Sequence, residues 1–217
     1  IYMKKFLLII VIITIPYLLN AQFDNHSVGI KGGVNWTSLR SSPAISQPTW
    51  PLQYHFGIQY RLISGKYCGF IVESNYEKFG FQSISNGNIY TRSLDYIHIP
   101  FLTHINIGQK LFRFFFELGP FIAFMVKDNI EEGAMGLEQT MAISNIFDYG
   151  IAAGLGFEFN TKYGIYIIDG RFNFGLGNIF PSTGGSDFSI SSNLGASVSV
   201  GYLFPITHDK RDNKLHY

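Results

Sequence analysis

From Val28 onward the chain alternates large apolar residues with glycine, polar or charged ones at a period of two, the mark of strands with one apolar face. Val28, Ile30, Val34 and Trp36 alternate with Gly29, Lys31, Gly33 and Asn35, and Tyr54, Phe56, Ile58, Tyr60 and Leu62 with His55, Gly57, Gln59 and Arg61. Phe70, Val72 and Tyr76 oppose Glu73, Asn75 and Glu77, while Ile97, Ile99, Phe101, Ile105 and Ile107 oppose His98, His104 and Asn106. Phe112, Phe114, Phe116, Leu118, Ile122 and Phe124 oppose Arg113, Glu117 and Gly119. Tyr149, Ile151, Leu155, Phe157 and Phe159 oppose Gly150, Gly154, Gly156 and Glu158. Tyr166, Ile168, Phe172 and Phe174 oppose Asp169, Arg171 and Asn173, and Leu194 to Phe204 alternates in the same way. The pattern predicts eight strands, an even number.

The expected connections cover 39–52, 64–65, 82–89, 108–110, 127–147, 161–162 and 178–189, so long alternates with short along the whole chain. Antiparallel strands running up and down place alternate connections at opposite ends. Long loops at one end and tight turns at the other are how outer-membrane barrels are built, with the turns on the periplasmic side. The content of the polar face decides between this and a soluble barrel, whose interior is apolar. That face carries only Lys31, Arg61, Glu73, Glu77, Arg113, Glu117, Glu158, Asp169 and Arg171 among glycines and small polar residues. This is scanty for a water-exposed exterior, but it suits the narrow interior of an eight-stranded barrel, which side chains fill. The expected fold is therefore all-β: an eight-stranded antiparallel up-and-down transmembrane β-barrel with long extracellular loops and short periplasmic turns. The nine charges form the expected lumen network. Isolated charges in such an interior are costly, so Arg61 and Arg171 are expected to contact acidic neighbours across the barrel, with Phe115 and Phe121 also facing inward.

The first segment reads as an address. Lys4 and Lys5 precede an apolar run from Phe6 to Leu19, and Asn20, Ala21 and Gln22 follow. These are the charged region, apolar region and small-residue cleavage site of a secretory signal, and the apolar run is short for a membrane anchor. The expected division is a signal peptide at 1–21, a barrel domain at 22–204 and a polar periplasmic tail at 205–217. The implied location is the outer membrane of a Gram-negative bacterium.

Charge and composition narrow the function. Asp, Glu, Lys and Arg make up 14% of the chain, against about 25% in soluble domains, and 16 basic against 15 acidic residues give a net charge of +1. No basic excess meets nucleic acid. A single cysteine, Cys68, excludes an internal disulfide and a cysteine-based zinc site. His98 and His104 lie six residues apart on one strand face, about 20 Å if extended and too far to share a metal. The glycines at 29–33 lack the lysine and hydroxyl residue of a phosphate loop. No catalytic, cofactor-binding or metal site is expected, and no cofactor.

Several segments carry a family resemblance. The run from Gly29 to Trp36 (GIKGGVNW) resembles the opening of the PorT-like outer-membrane β-barrel proteins of Bacteroidetes. The runs from Tyr96 to Phe101, Glu117 to Phe121 and Asp148 to Phe159 are also similar, and Gly201 to Phe204 looks like a C-terminal assembly signal. The resemblance spans 23–204. It departs from the family at His98, where an acidic residue usually stands before the Ile-Pro pair, and in the tail at 205–217. It implies an outer-membrane barrel, and the type member of the family is linked to protein secretion and gliding.

Three classes of function stay open: a non-enzymatic structural, accessory or secretion-related barrel, which is favoured; a small porin-like pore; and a lipid-modifying enzyme. The expected partners are outer-membrane lipid, the barrel-assembly machinery during insertion, and a secretion or surface partner. The most acidic loop, 127–147 with Glu131, Glu132 and Glu138, is the candidate contact surface.

Overall fold

The computed structural model describes residues 25–42, 52–65, 67–85, 88–109, 111–131, 145–177 and 190–206; the expected signal segment and residues 207–217 of the tail lie outside these. Eight strands follow in order: β1 (Asn25–Ser42), β2 (Leu52–Ser64), β3 (Cys68–Ser85), β4 (Asn88–Gln109), β5 (Phe112–Glu131), β6 (Phe147–Asn160), β7 (Ile165–Gly175) and β8 (Ile190–Pro205). Each pairs antiparallel with its neighbours in sequence, and β1 pairs with β8 through Ser27↔Pro205 to Ser42↔Ile190, which closes the barrel. No strand is left with an unpaired edge in the membrane, as hydrocarbon requires.

Period-two alternation sets the two faces. Ile30 (64% exposed), Ile58 (62%) and Val200 (61%) face outward, while Lys31 (5%), Gln59 (3%) and Ser199 (2%), one residue away on the same strands, are buried inside. Aromatic residues collect on the outside near both ends, with Tyr60, Tyr166 and Phe204 toward the turns and Trp36, Tyr54 and Tyr149 toward the loops. These positions are where girdles at the membrane interfaces fall.

Inside, apolar side chains close much of the lumen. Phe79, Leu94, Tyr96, Leu102 and Phe121 pack against β3–β6, and Phe115, Ile167 and Leu203 form a smaller cluster at the turn end. The two inward phenylalanines of β5 lie over glycines of β6 that oppose them directly, Phe115↔Gly156 and Phe121↔Gly150. A Cβ at Gly156 would come 2.6 Å from the Phe115 ring, and one at Gly150 would come 2.7 Å from the Phe121 ring. Glycine at these two sites gives each ring its place in a narrow barrel.

Three of the expected connections differ from expectation. The segment 82–89, read as a long loop, is largely strand: β3 and β4 stay paired to Ser85↔Asn88 and leave only residues 86–87 between them. β1 and β5 likewise run on to Ser42 and Glu131. In these stretches the apolar alternation of the sequence lapses while backbone pairing continues. A bulge also breaks the β4–β5 register, since Tyr96 opposes Met125 and Asp95 opposes Lys127, leaving Val126 unopposed.

Placing a branched side chain under either ring should overpack the lumen. Gly150→Val and Gly156→Val are each expected to destabilise the barrel by about 1–3 kcal/mol, read as a lower urea midpoint in detergent micelles. An unchanged midpoint in both would mean that the rings do not rest on these glycines.

Candidate functional site

All nine charges expected in the lumen have inward parity. Eight are buried, and the Arg113 side chain retains 28% exposure at the turn end. Eight of the nine fall into two groups with different strand origins. The central group takes its members from odd-numbered strands alone: Lys31 from β1, Glu73 from β3, Glu117 from β5, and Asp169 and Arg171 from β7. Alternate strands supplying one layer is the geometry expected of a small filled barrel.

Arg171 is the centre of this group. Its Nη1 donates to Glu73 Oε2 at 2.6 Å and its Nη2 to Glu73 Oε1 at 2.9 Å, a two-pronged fork. Nη2 also donates to Glu117 Oε2 at 2.6 Å, tying β3, β5 and β7 together across the lumen. Lys31 Nζ donates to Asp169 Oδ2 at 3.0 Å and stands 2.8 Å from Oδ1 and 3.5 Å from Glu73 Oε1. Asn75 Nδ2 donates to Glu73 Oε2 at 2.9 Å, and His104 Nδ1 lies 3.2 Å from Glu117 Oε1.

The second group sits at the turn end. Glu158 accepts from Arg61 Nη1 at 2.6 Å, from Arg113 Nη1 at 3.4 Å and from Asn160 Nδ2 at 3.2 Å. The central group has two cations and three carboxylates, a formal −1, and the second has two cations and one carboxylate, a formal +1. Together they cancel. Glu77 is placed apart from both, with Oε1 3.4 Å from His98 Nδ1. His98 also lies against Phe121, with ring centroids 4.5 Å apart, and His104 against Phe115 at 4.9 Å.

Buried polar residues outside the expected set join the interior. Asp148 of β6 accepts from Asn193 Nδ2 at 2.8 Å and from the Tyr149 backbone N–H at 2.8 Å. Its parity matches Gly150, so the alternation already held that signal. Asp95 is buried too, but it faces outward opposite Lys78, beside the bulge.

One pair has the spacing of a nucleophile and its base. His55 Nε2 lies 3.0 Å from Ser199 Oγ, although the two residues are 144 apart in the chain. Both are buried, at 4% and 2% exposure, and His55 Nδ1 has no hydrogen-bond partner to fix the ring as a catalytic base needs. The pair acts as a hydrogen bond between β2 and β8. Cys68 is exposed at the turn end of β3.

A closed antiparallel barrel with an apolar outside and a charged, filled inside is an integral outer-membrane β-barrel protein. The chain belongs to the outer membrane protein beta-barrel domain family, whose model matches residues 20–181. It lies in the outer membrane of a Gram-negative bacterium. No curated protein matches it. Solved structures similar to it include the attachment invasion locus protein Ail of Yersinia pestis, crystallised with the heparin analogue sucrose octasulfate. That protein has 14% identity, with 83% of this chain and 99% of that one covered at a TM-score of 0.44. Neisserial surface protein A shares 10% identity, over 82% and 96% of the two chains, at 0.45. The N-terminal barrel of Pseudomonas aeruginosa OprF shares 8%, over 82% and 97%, at 0.36.

Removing the central cation should expose the energetics. Arg171→Met leaves the buried Glu73 and Glu117 without the cation they share and is expected to cost about 3–5 kcal/mol. Adding Glu73→Leu to that variant should recover part of the loss, because a carboxylate is removed with its partner. Urea unfolding in micelles reads both, and strict additivity of the two substitutions would show that the fork is not a coupled pair.

Proposed function

We propose that this protein is a non-conducting, non-enzymatic outer-membrane barrel with a structural, accessory or secretion-related role exercised through its external surfaces. The PorT-like resemblance of the runs at 29–36, 96–101, 117–121 and 148–159 supports placing it in that branch of outer-membrane barrels. The observation that carries the reading is the Arg171 fork, which crosses the lumen from β7 to Glu73 on β3 and Glu117 on β5. Ions would have to break it in order to pass. The rings of Phe115, Phe121 and Tyr96, all buried, reinforce the block on either side of it. The interior thus stabilises the barrel and leaves the outer wall and loop end to make contacts. Lipid of the outer membrane surrounds the wall, the barrel-assembly machinery inserts it, and a secretion or surface partner meets the loop end.

Planar bilayers and a lipid assay test this reading together. Purified protein is expected to give no steady conductance above that of the bare bilayer, and to release no fatty acid from phospholipid or lipid A. Steady, ion-selective current would make it a small pore. Hydrolysis abolished by Ser199→Ala would make it an enzyme using the His55 pair.

A further inference from the structure

Of the nine lumen charges, Glu77 alone has no Lys or Arg partner among the described residues. The central group at −1 and the turn-end group at +1 cancel over the other eight, so an ionised Glu77 beside a neutral His98 would leave the nine with a negative charge in excess. Asp148 is buried as well, but Asn193 and the Tyr149 N–H donate to it. Glu77 has no such donor among the described residues, and its one charged neighbour in contact is His98, with Oε1 3.4 Å from Nδ1. Glu77 is 6% exposed and His98 0%, and neither ring nitrogen of His98 has a hydrogen-bond partner. A buried carboxylate without a partner is costly, and so is a buried ring with unpartnered nitrogens. One proton relieves both costs. On either group it makes the two together neutral, and it supplies the hydrogen for a bond between Oε1 and Nδ1.

The strands packed around the pair bring no other counter-charge into contact with it. β2 places His55 directly opposite Glu77, and that ring is engaged with Ser199. β4 places Tyr96 opposite Glu77, with its ring against Phe79. β5 places Ala123 opposite His98 and lays the Phe121 ring against it, and neither of these titrates. Arg171 of β7, Lys31 of β1 and Glu73 of β3 act on the pair from a distance. These three are committed to other contacts: Arg171 forks onto Glu73 and reaches Glu117, and Lys31 is bonded to Asp169.

We propose that Glu77 and His98 form a proton-binding site, which holds one proton between them in the folded barrel at neutral pH and releases it in alkaline medium. The proton belongs to the pair, as it does wherever two titrating groups interact closely. Its release leaves an unpaired carboxylate in the lumen next to His98, whose ring lies 4.5 Å from that of Phe121. Phe121 is one of the rings that close the lumen, so the site makes the packing of that closure respond to pH. The sign follows from the unfolded chain. There a glutamate and a histidine with ordinary values of about 4.3 and 6.5 hold almost no proton above about pH 7. The folded barrel then binds one proton more than the unfolded chain, and its stability falls as pH rises.

NMR of the folded barrel in micelles tests this on the wild-type protein, with glutamate carboxyl groups labelled with carbon-13 and histidine rings with nitrogen-15. At pH 7 either the Glu77 carboxyl is expected to be un-ionised or the His98 ring to be an imidazolium, and one proton should leave the pair as the medium is made alkaline. An ionised Glu77 beside a neutral His98 at pH 7 would overturn the proposal. Urea unfolding gives a second reading, with Glu77→Gln as the reference that cannot hold the shared proton. Taken as the ratio of wild type to this variant, the unfolding equilibrium should shift toward the unfolded chain by about tenfold per pH unit above about pH 7, until the proton has left. Groups common to both proteins cancel in that ratio. A ratio that does not change with pH would sink the idea. The NMR reading needs no variant, so it decides the matter even if Glu77→Gln does not fold.

Discussion

Hydrocarbon cannot satisfy a backbone N–H or C=O, so a sheet that crosses it must close on itself. The pairing of β1 with β8 meets that demand, and most other features of the molecule follow from it. Closure at eight strands fixes a lumen only wide enough for side chains. The lumen must therefore be packed like a core although it is built from the polar half of every strand. The protein solves this with two materials: aromatic rings laid over opposing glycines, and two ion-paired groups whose formal charges cancel.

The matched charges are better understood as specifying the barrel than as strengthening it. A buried ion pair commonly contributes no more than well-packed apolar side chains of similar size, while a broken pair is costly. Arg171 reaches carboxylates on two other strands, and Lys31 reaches one on β7 and another on β3. A slip of one residue in any of these strands would turn its charge out into lipid. The register shown by the paired strands is the one in which every member of the network faces inward together.

The alternation was legible because each strand lies between two unlike environments. It located eight strands, their inner and outer faces and the charges held inside. It could not pair those charges. Glu73 and Arg171 stand 98 residues apart, and only the closed geometry makes them neighbours. The same holds for His55 and Ser199. Where the alternation ends, the signal ends too: the paired stretch from Gln82 to Ile89 was legible only as a loop, because its small polar residues carry no period-two apolar pattern. Asp95 escaped notice for a different reason. It lies outward, where a carboxylate is not expected, and is covered beside a bulge with the Tyr76 hydroxyl on one oxygen.

The odd-strand origin of the central network bears on how the chain enters the membrane. Lys31 belongs to the first strand and Arg171 to the seventh, and the carboxylates they neutralise come from the third, fifth and seventh. A sheet holding only β1 to β4 would bring in Lys31 without Asp169 and Glu73 without Arg171, and a sheet holding only the later strands would leave Asp169 without the lysine of β1. Each partial sheet thus holds charges whose closest partners lie in the missing half. Electrostatics alone then favours a nascent sheet that waits at the interface until nearly all its strands are present, and that crosses as a single, almost finished cylinder.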